Sequence, residues 1–159
     1  MSDDSEKLNY QPADRRSKEV EAEIGSLSSE LLDMLRVKGK ATPADPMAGP
    51  CGAIADAPES YRSVRHPWSL YGVDNKVLGV AMENLAEALP KHGWQVVKRG
   101  PAANKNRSLE ILAVHLESKS QAEISWMKGQ DGHEPLISFA VYSRCFSDPD
   151  ASASPSSGD

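Results

Sequence analysis

At Gly93 the spacing of apolar residues changes from a helical period to a period of two, and it does not change back before Cys145. Upstream of the switch, Val77, Leu78, Ala81, Met82, Leu85 and Leu89 recur at helical spacing behind Asp74, a residue suited to cap a helix N-terminus. Pro90 falls in the last turn and should end or distort the helix there, with the cation-type His92 and Gly93 at its C-terminal end. Downstream, Trp94, Val96 and Val97 predict a short strand, and Gly100 to Arg107 a polar loop. Leu109 to Leu116 is apolar on both faces, as a central strand is. After a tight turn at Ser118 to Ser120, Ala122, Ile124 and Trp126 alternate with polar residues. A second turn around Gly129 to Gly132 leads to Ile137, Phe139, Val141 and Cys145, which share one face. Helix followed by an antiparallel meander places the chain in the α+β class.

The N-terminal half adds a second helix. Val20, Ile24, Leu27, Leu31 and Leu35 form an amphipathic stripe that should begin after Pro12 and end near Val37 and Gly39. Residues 38–60 hold four prolines and no period, so they read as a long loop in need of an anchor. Tyr61 to Tyr71 reads as extended, with Val64, Trp68, Leu70 and Tyr71 available for burial and Pro67 restricting it to an edge or a bulge. The expected architecture is a two-layer α/β sandwich, two helices packed on a mainly antiparallel sheet of about four to five strands. With 159 residues it is one domain, spanning 12–146, between a disordered lead-in at 1–11 and a disordered tail at 147–159.

The composition excludes several functions. A net charge of -5 disfavours nucleic acid and anionic lipid, both of which require a cationic surface. No apolar run reaches the roughly 20 residues that span a bilayer, and Met1 to Lys7 is polar and acidic where a secretory signal would be basic and then apolar. The histidines His66, His92, His115 and His133 are not spaced as metal ligands, and there is neither a nucleophile elbow nor a phosphate loop. No cofactor, metal or catalytic residue is therefore assigned, and the chain reads as non-enzymatic. A hydrolase built around His66 or His115 would need an acid and a nucleophile beside one of them. Asn106-Arg107-Ser108 spells a glycosylation sequon, which short sequences also produce by chance.

Two features remain. Cys145 continues the apolar face of the last strand and Cys51 lies in the unanchored loop, so a disulfide between them would staple the loop across the domain; two free thiols are the alternative. Such a bond implies an oxidising compartment. The segment Arg65-His66-Pro67-Trp68-Ser69-Leu70-Tyr71 gathers side chains common in binding hot spots, which makes Arg65, His66, Trp68 and Tyr71 a candidate partner surface. The competing use of Trp68 and Tyr71 is core or strand packing, the commoner fate of aromatic residues.

The run His66-Pro67-Trp68-Ser69, the helix with Leu85 and Leu89-Pro90, then Gly93-Trp94-Gln95-Val96-Val97 and Ser143-Arg144-Cys145-Phe146 resemble small secreted proteins and lipoproteins of actinobacteria, over roughly Glu6 to Phe146. The resemblance implies an envelope-attached or secreted domain with Cys51 paired to Cys145 and a polar tether like Ser5 to Tyr10. The expected function is an extracytoplasmic binding or accessory protein of lipoprotein type, with a protein partner and, where a leader has been removed, a peripheral membrane tether. An immunity or inhibitor protein acting on a toxin, and a cytoplasmic regulatory module with reduced cysteines, are the alternatives.

Overall fold

The structure is a computed structural model that describes residues 8–52, 58–101, 109–129 and 132–151. The sequon at Asn106 and the outer parts of the two expected disordered ends, residues 1–7 and 152–159, lie outside the described residues.

Helix α1 (Ser17–Leu35) buries the expected stripe, Val20, Ile24, Leu27, Leu31 and Leu35, together with Met34. It starts later than Pro12 because residues Asp14 and Arg15 are held extended against Ser147. It ends at Leu35, before Val37, because Arg36 takes a left-handed conformation (φ 56°) and closes the helix. The segment expected to be a loop contains two short strands, β1 (Lys40–Ala41) and β2 (Met47–Pro50). Strands of two and four residues with prolines around them leave no period to read. Both pair antiparallel with β3 (Tyr61–Tyr71).

Helix α2 (Asn75–Ala88) begins as the sequence indicates, with Asp74 Oδ1 accepting from the Val77 N–H at 3.0 Å. Pro90 converts its end into a 3₁₀ turn (Leu89–His92), and Gly93 supplies the left-handed exit at φ 85°. Four strands follow, β4 (Trp94–Pro101), β5 (Leu109–His115), β6 (Gln121–Met127) and β7 (Leu136–Tyr142), and a short β8 (Phe146–Ser147) ends the sheet. The strand order is β1-β3-β7-β6-β5-β4, with β2 and β8 also paired to β3 and every pairing antiparallel. The class is α+β as expected, but the sheet has eight strands rather than four to five. The three additional strands, β1, β2 and β8, are too short to carry a pattern and all owe their existence to the length of β3.

β3 is an interior strand, so Pro67 does not mark an edge. Val64 exchanges hydrogen bonds with Ser143 on the β7 side, whereas Ser69 exchanges them with Thr42 on the β1 side. The nitrogen of Pro67 shares the direction of Ser69 and meets the interval between β2, whose pairing stops at Arg65, and β1, whose pairing starts at Leu70. The missing N–H therefore removes no ladder bond.

Both helices lie on one face of the sheet and close a single core with Val64, Trp68, Leu70, Ile111, Ala113, Ala122, Ile124, Ile137, Phe139 and Val141. The Trp68 ring stacks on Phe139 with centroids 4.0 Å apart. Gly79 lets α2 approach the sheet, since a Cβ there would sit 3.1 Å from the Trp126 ring.

The expected ends of the domain move outward. Leu8 is buried against Cys51 and Cys145, and Ser147 and Asp148 belong to the fold rather than to a disordered tail. Cys145 lies beyond β7, where it joins this satellite cluster and not the main core.

Candidate functional site

The alternation of β3 separates the four residues singled out in the sequence. His66 and Trp68 point under α1 and are buried, while Arg65 and Tyr71 face the opposite side of the sheet. For Trp68 the core-packing use holds. His66 is explained by a polar chain inside the core. Its Nε2 lies 2.8 Å from the Ala44 carbonyl oxygen, which can only accept, so Nε2 carries the proton and Nδ1 accepts from Ser28 Oγ at 2.7 Å. Ser28 Oγ in turn accepts from the Trp68 indole N–H at 3.2 Å. This chain couples α1, β3 and the residues before β2, and leaves none of these atoms unpaired. It contains a serine and a histidine but no carboxylate, and Ser28 is only 4% exposed.

His115 forms a second pairing, with Nδ1 2.9 Å from Ser118 Oγ, which itself bonds Ser120 within the β5–β6 turn. The ring meets Trp94 edge-on at 5.0 Å. Neither His66 nor His115 is hydrogen-bonded to an acid among the described residues, and none of those residues form a cluster of three metal-ligating side chains. His92 Nδ1 reaches the Ala88 carbonyl and finishes α2, as its place in the sequence suggested.

The face of the sheet turned away from the helices carries Arg65, Pro67, Ser69 and Tyr71 from β3 and Leu136, Ser138, Ala140 and Tyr142 from β7. Glu123 and Met127 of β6 and Leu112 and Val114 of β5 continue it. No helix or strand among the described residues covers this face. At one end Arg65 stands over the Tyr142 ring at 5.8 Å. The Tyr142 hydroxyl donates to Glu123 Oε2 at 2.6 Å, and the hydroxyl oxygen also lies 3.0 Å from Gln121 Oε1. Burial, then the hydrogen bond to Glu123 and its negative charge, push the Tyr142 phenol far above its ordinary pKa against the opposing pull of Arg65. The phenol proton is thus held on the hydrogen bond to Glu123. The other end of the face carries Tyr71 of β3 and Leu136 of β7, the latter paired with the exposed Met127. Reading the segment 65–71 alone missed Tyr142 and Glu123, although the outward alternation of Tyr142 with Ser138 was visible in the sequence.

Two stretches of the sheet margin are blunted against strand addition. On β2, Ala48 turns its N–H and carbonyl outward, and both are taken by side chains, Glu21 accepting at 3.0 Å and Arg62 donating at 3.3 Å. On β4 the register shifts between Val96 and Lys98, and Lys98, Arg99, Gly100 and Pro101 follow.

A cleft of about 770 Å³ opens between α1, the β5–β6 turn and the chain around Cys145, with Tyr10, Gln11, Ala13 and Arg15 as one wall. Beside it the disulfide Cys51–Cys145 joins residues 94 apart in sequence with Cα atoms 5.7 Å apart, so the expected staple is present and no cysteine among the described residues is free. Close by, Asp148 closes the N-terminus of α1, accepting from the Ser17 N–H at 2.9 Å and from Ser17 Oγ. Burial pushes this carboxyl up, but the hydrogen bonds from Ser17 and the charges of Arg16 and Arg62 outweigh it and hold it below the ordinary aspartate pKa. No helix of the described residues is long and apolar enough to cross a membrane.

No protein-family model, curated protein or solved structure matches this chain.

Proposed function

We propose that the protein is a non-enzymatic binding or accessory domain of an oxidising, extracytoplasmic compartment, of the lipoprotein type, and that its recognition surface is the uncovered face of the sheet. The observation that carries the surface is the asymmetry of the sandwich: two helices seal one face, while Arg65, Tyr71, Tyr142 and Met127 line the other. Arg, Tyr and Met are enriched at interfaces, and a rigid sheet presents them at low conformational cost. The face pairs cations, Arg65 and Lys98, with the acids Glu110 and Glu123, so a folded protein surface of mixed charge complements it better than a polyanion does. The Cys51–Cys145 bond supports the compartment, since such bonds persist where glutathione does not reduce them. The resemblance to secreted and lipoprotein-type proteins points the same way.

The test is affinity capture from the native host with the wild-type protein and with Arg65→Glu, Tyr71→Ala and Tyr142→Ala, each first shown to retain native circular dichroism. One dominant partner, retained by the wild type and weakened about tenfold or more by at least two of the substitutions, is expected. A partner held equally by all four proteins sinks the assignment of the surface. If the captured partner is an enzyme or toxin that loses activity in the complex, the immunity or inhibitor version is the correct one.

A further inference from the structure

We propose that the segment from Leu8 to Arg15 is a redox-linked strap: it shields the Cys51–Cys145 bond from reductants, and reduction of that bond releases the strap and opens the cleft that it walls. Leu8 is 8% exposed, and its buried partners are the two cysteines themselves, in a cluster separate from the main core. Tyr10 and Tyr61 pack around that cluster. The Tyr10 hydroxyl accepts from the Cys145 backbone N–H at 2.8 Å, and the Arg144 guanidinium lies 3.5 Å from the centroid of the Tyr10 ring. The strap thus has its own small apolar contact, its own hydrogen bond and its own stacking pair, all centred on the disulfide. Further along it is fastened by two backbone hydrogen bonds, Ser147 N–H to Ala13 O at 2.8 Å and Arg15 N–H to Ser147 O at 2.9 Å.

The arrangement works in both directions. Cys51 and Cys145 are 3% and 5% exposed, so a thiolate reaches either sulfur only after Leu8 and Tyr10 lift away. Once the strap lifts, a dithiol reductant attacks one sulfur and forms a mixed disulfide while the other cysteine leaves as a thiolate. The second thiol of the reductant then closes its own disulfide. Two electrons and two protons pass to Cys51 and Cys145, and the reductant leaves oxidised. The two thiols no longer fix Cys51 beside Cys145, and the platform beneath Leu8 is lost. The wall formed by Tyr10, Gln11 and Ala13 then leaves the cleft, uncovering the α1 face around Val20 and Leu27.

The experiment measures, under native conditions, the rate at which dithiothreitol reduces the full-length wild type, Leu8→Ala, Tyr10→Phe and Leu78→Ala, by alkylation quench and intact mass. Leu78 is in the main core under α2, away from the strap, and reports on reduction through global unfolding. Leu8→Ala should be reduced about tenfold faster than wild type, with Tyr10→Phe between the two and Leu78→Ala close to wild type. Amide exchange on the reduced wild type should show Arg15 and Ser147 losing protection while Ile124 and Phe139 keep it. Equal rates for Leu8→Ala and wild type, an equal acceleration by Leu78→Ala, or unchanged protection of Arg15 and Ser147 after reduction would each overturn the strap.

Discussion

Ser28 on α1 and His66 on β3 share a 2.7 Å hydrogen bond inside the core, and the same serine oxygen takes the indole proton of Trp68. Replacing Ser28 with alanine improves intrinsic helix propensity, which alone would stabilise α1 by a few tenths of a kcal/mol. The substitution also leaves the His66 Nδ1 and the Trp68 N–H buried without partners, at a cost of about 1–3 kcal/mol. Ser28→Ala is therefore expected to destabilise, as read from the urea midpoint at constant slope. A midpoint at or above that of the wild type contradicts a structural role for the chain.

The Cys51–Cys145 bond closes a loop between residues 94 apart in sequence. Chain-entropy arithmetic values such a closure at about 4–5 kcal/mol, and measured cases more often give about 2–4. Cys51→Ser should lower stability by that smaller amount, and reduced wild type should match it. A loss under about 0.5 kcal/mol, the scale of an ordinary surface change, would show that the loop is held by its β2 pairing instead.

Asp148 gives the fold an acid-sensitive contact. Its pKa is depressed in the folded state, so its contribution is present above the unfolded aspartate value and is lost as the pH falls through the lower folded value. Asp148→Asn keeps an acceptor oxygen but loses the charge that strengthens the Ser17 hydrogen bonds and attracts Arg16 and Arg62, and should cost about 1 kcal/mol at neutral pH. The difference from wild type should shrink as the solution is taken below the ordinary aspartate range. Chemical unfolding of both proteins across the acid range measures it, and a gap independent of pH would remove the carboxylate from the role assigned to it.

Pro67 should tolerate replacement although it lies within an interior strand. Its nitrogen meets the interval between β1 and β2, so Pro67→Ala restores an N–H that has no ladder partner to gain. The expected change is a loss of under about 1 kcal/mol, arising from the freer unfolded chain. A larger loss, by thermal or urea unfolding, would mean that the ring itself packs into a structural contact.

The parts of this fold that were legible in the sequence are those governed by local rules. Asp74, Pro90 and Gly93 bound α2 through chemistry contained within a turn, and Ala122, Ile124, Ile137 and Phe139 declare their face by alternation. The illegible parts depend on partners distant in sequence. Met47–Pro50 is a strand only because β3 is long enough to receive it, and Ser17 is capped by a carboxylate 131 residues away. The candidate surface was half visible for the same reason. Arg65 and Tyr71 were found by their composition, but their separation from His66 and Trp68 required knowing that Tyr61–Tyr71 is one continuous strand whose alternation Pro67 does not break. Tyr142 and Glu123 join Arg65 through the register of β3, β7 and β6, which no single segment records.

The compartment, the staple and the strap all depend on one covalent bond. The most direct measurement is therefore a thiol count by alkylation and intact mass on protein purified without reductant from its native host. The expected result is no alkylation, a mass lower than that of the dithiol form by about two protons, and a single cross-linked peptide joining Cys51 to Cys145. Two alkylated thiols would contradict the oxidised, extracytoplasmic domain and return the protein to a reducing compartment.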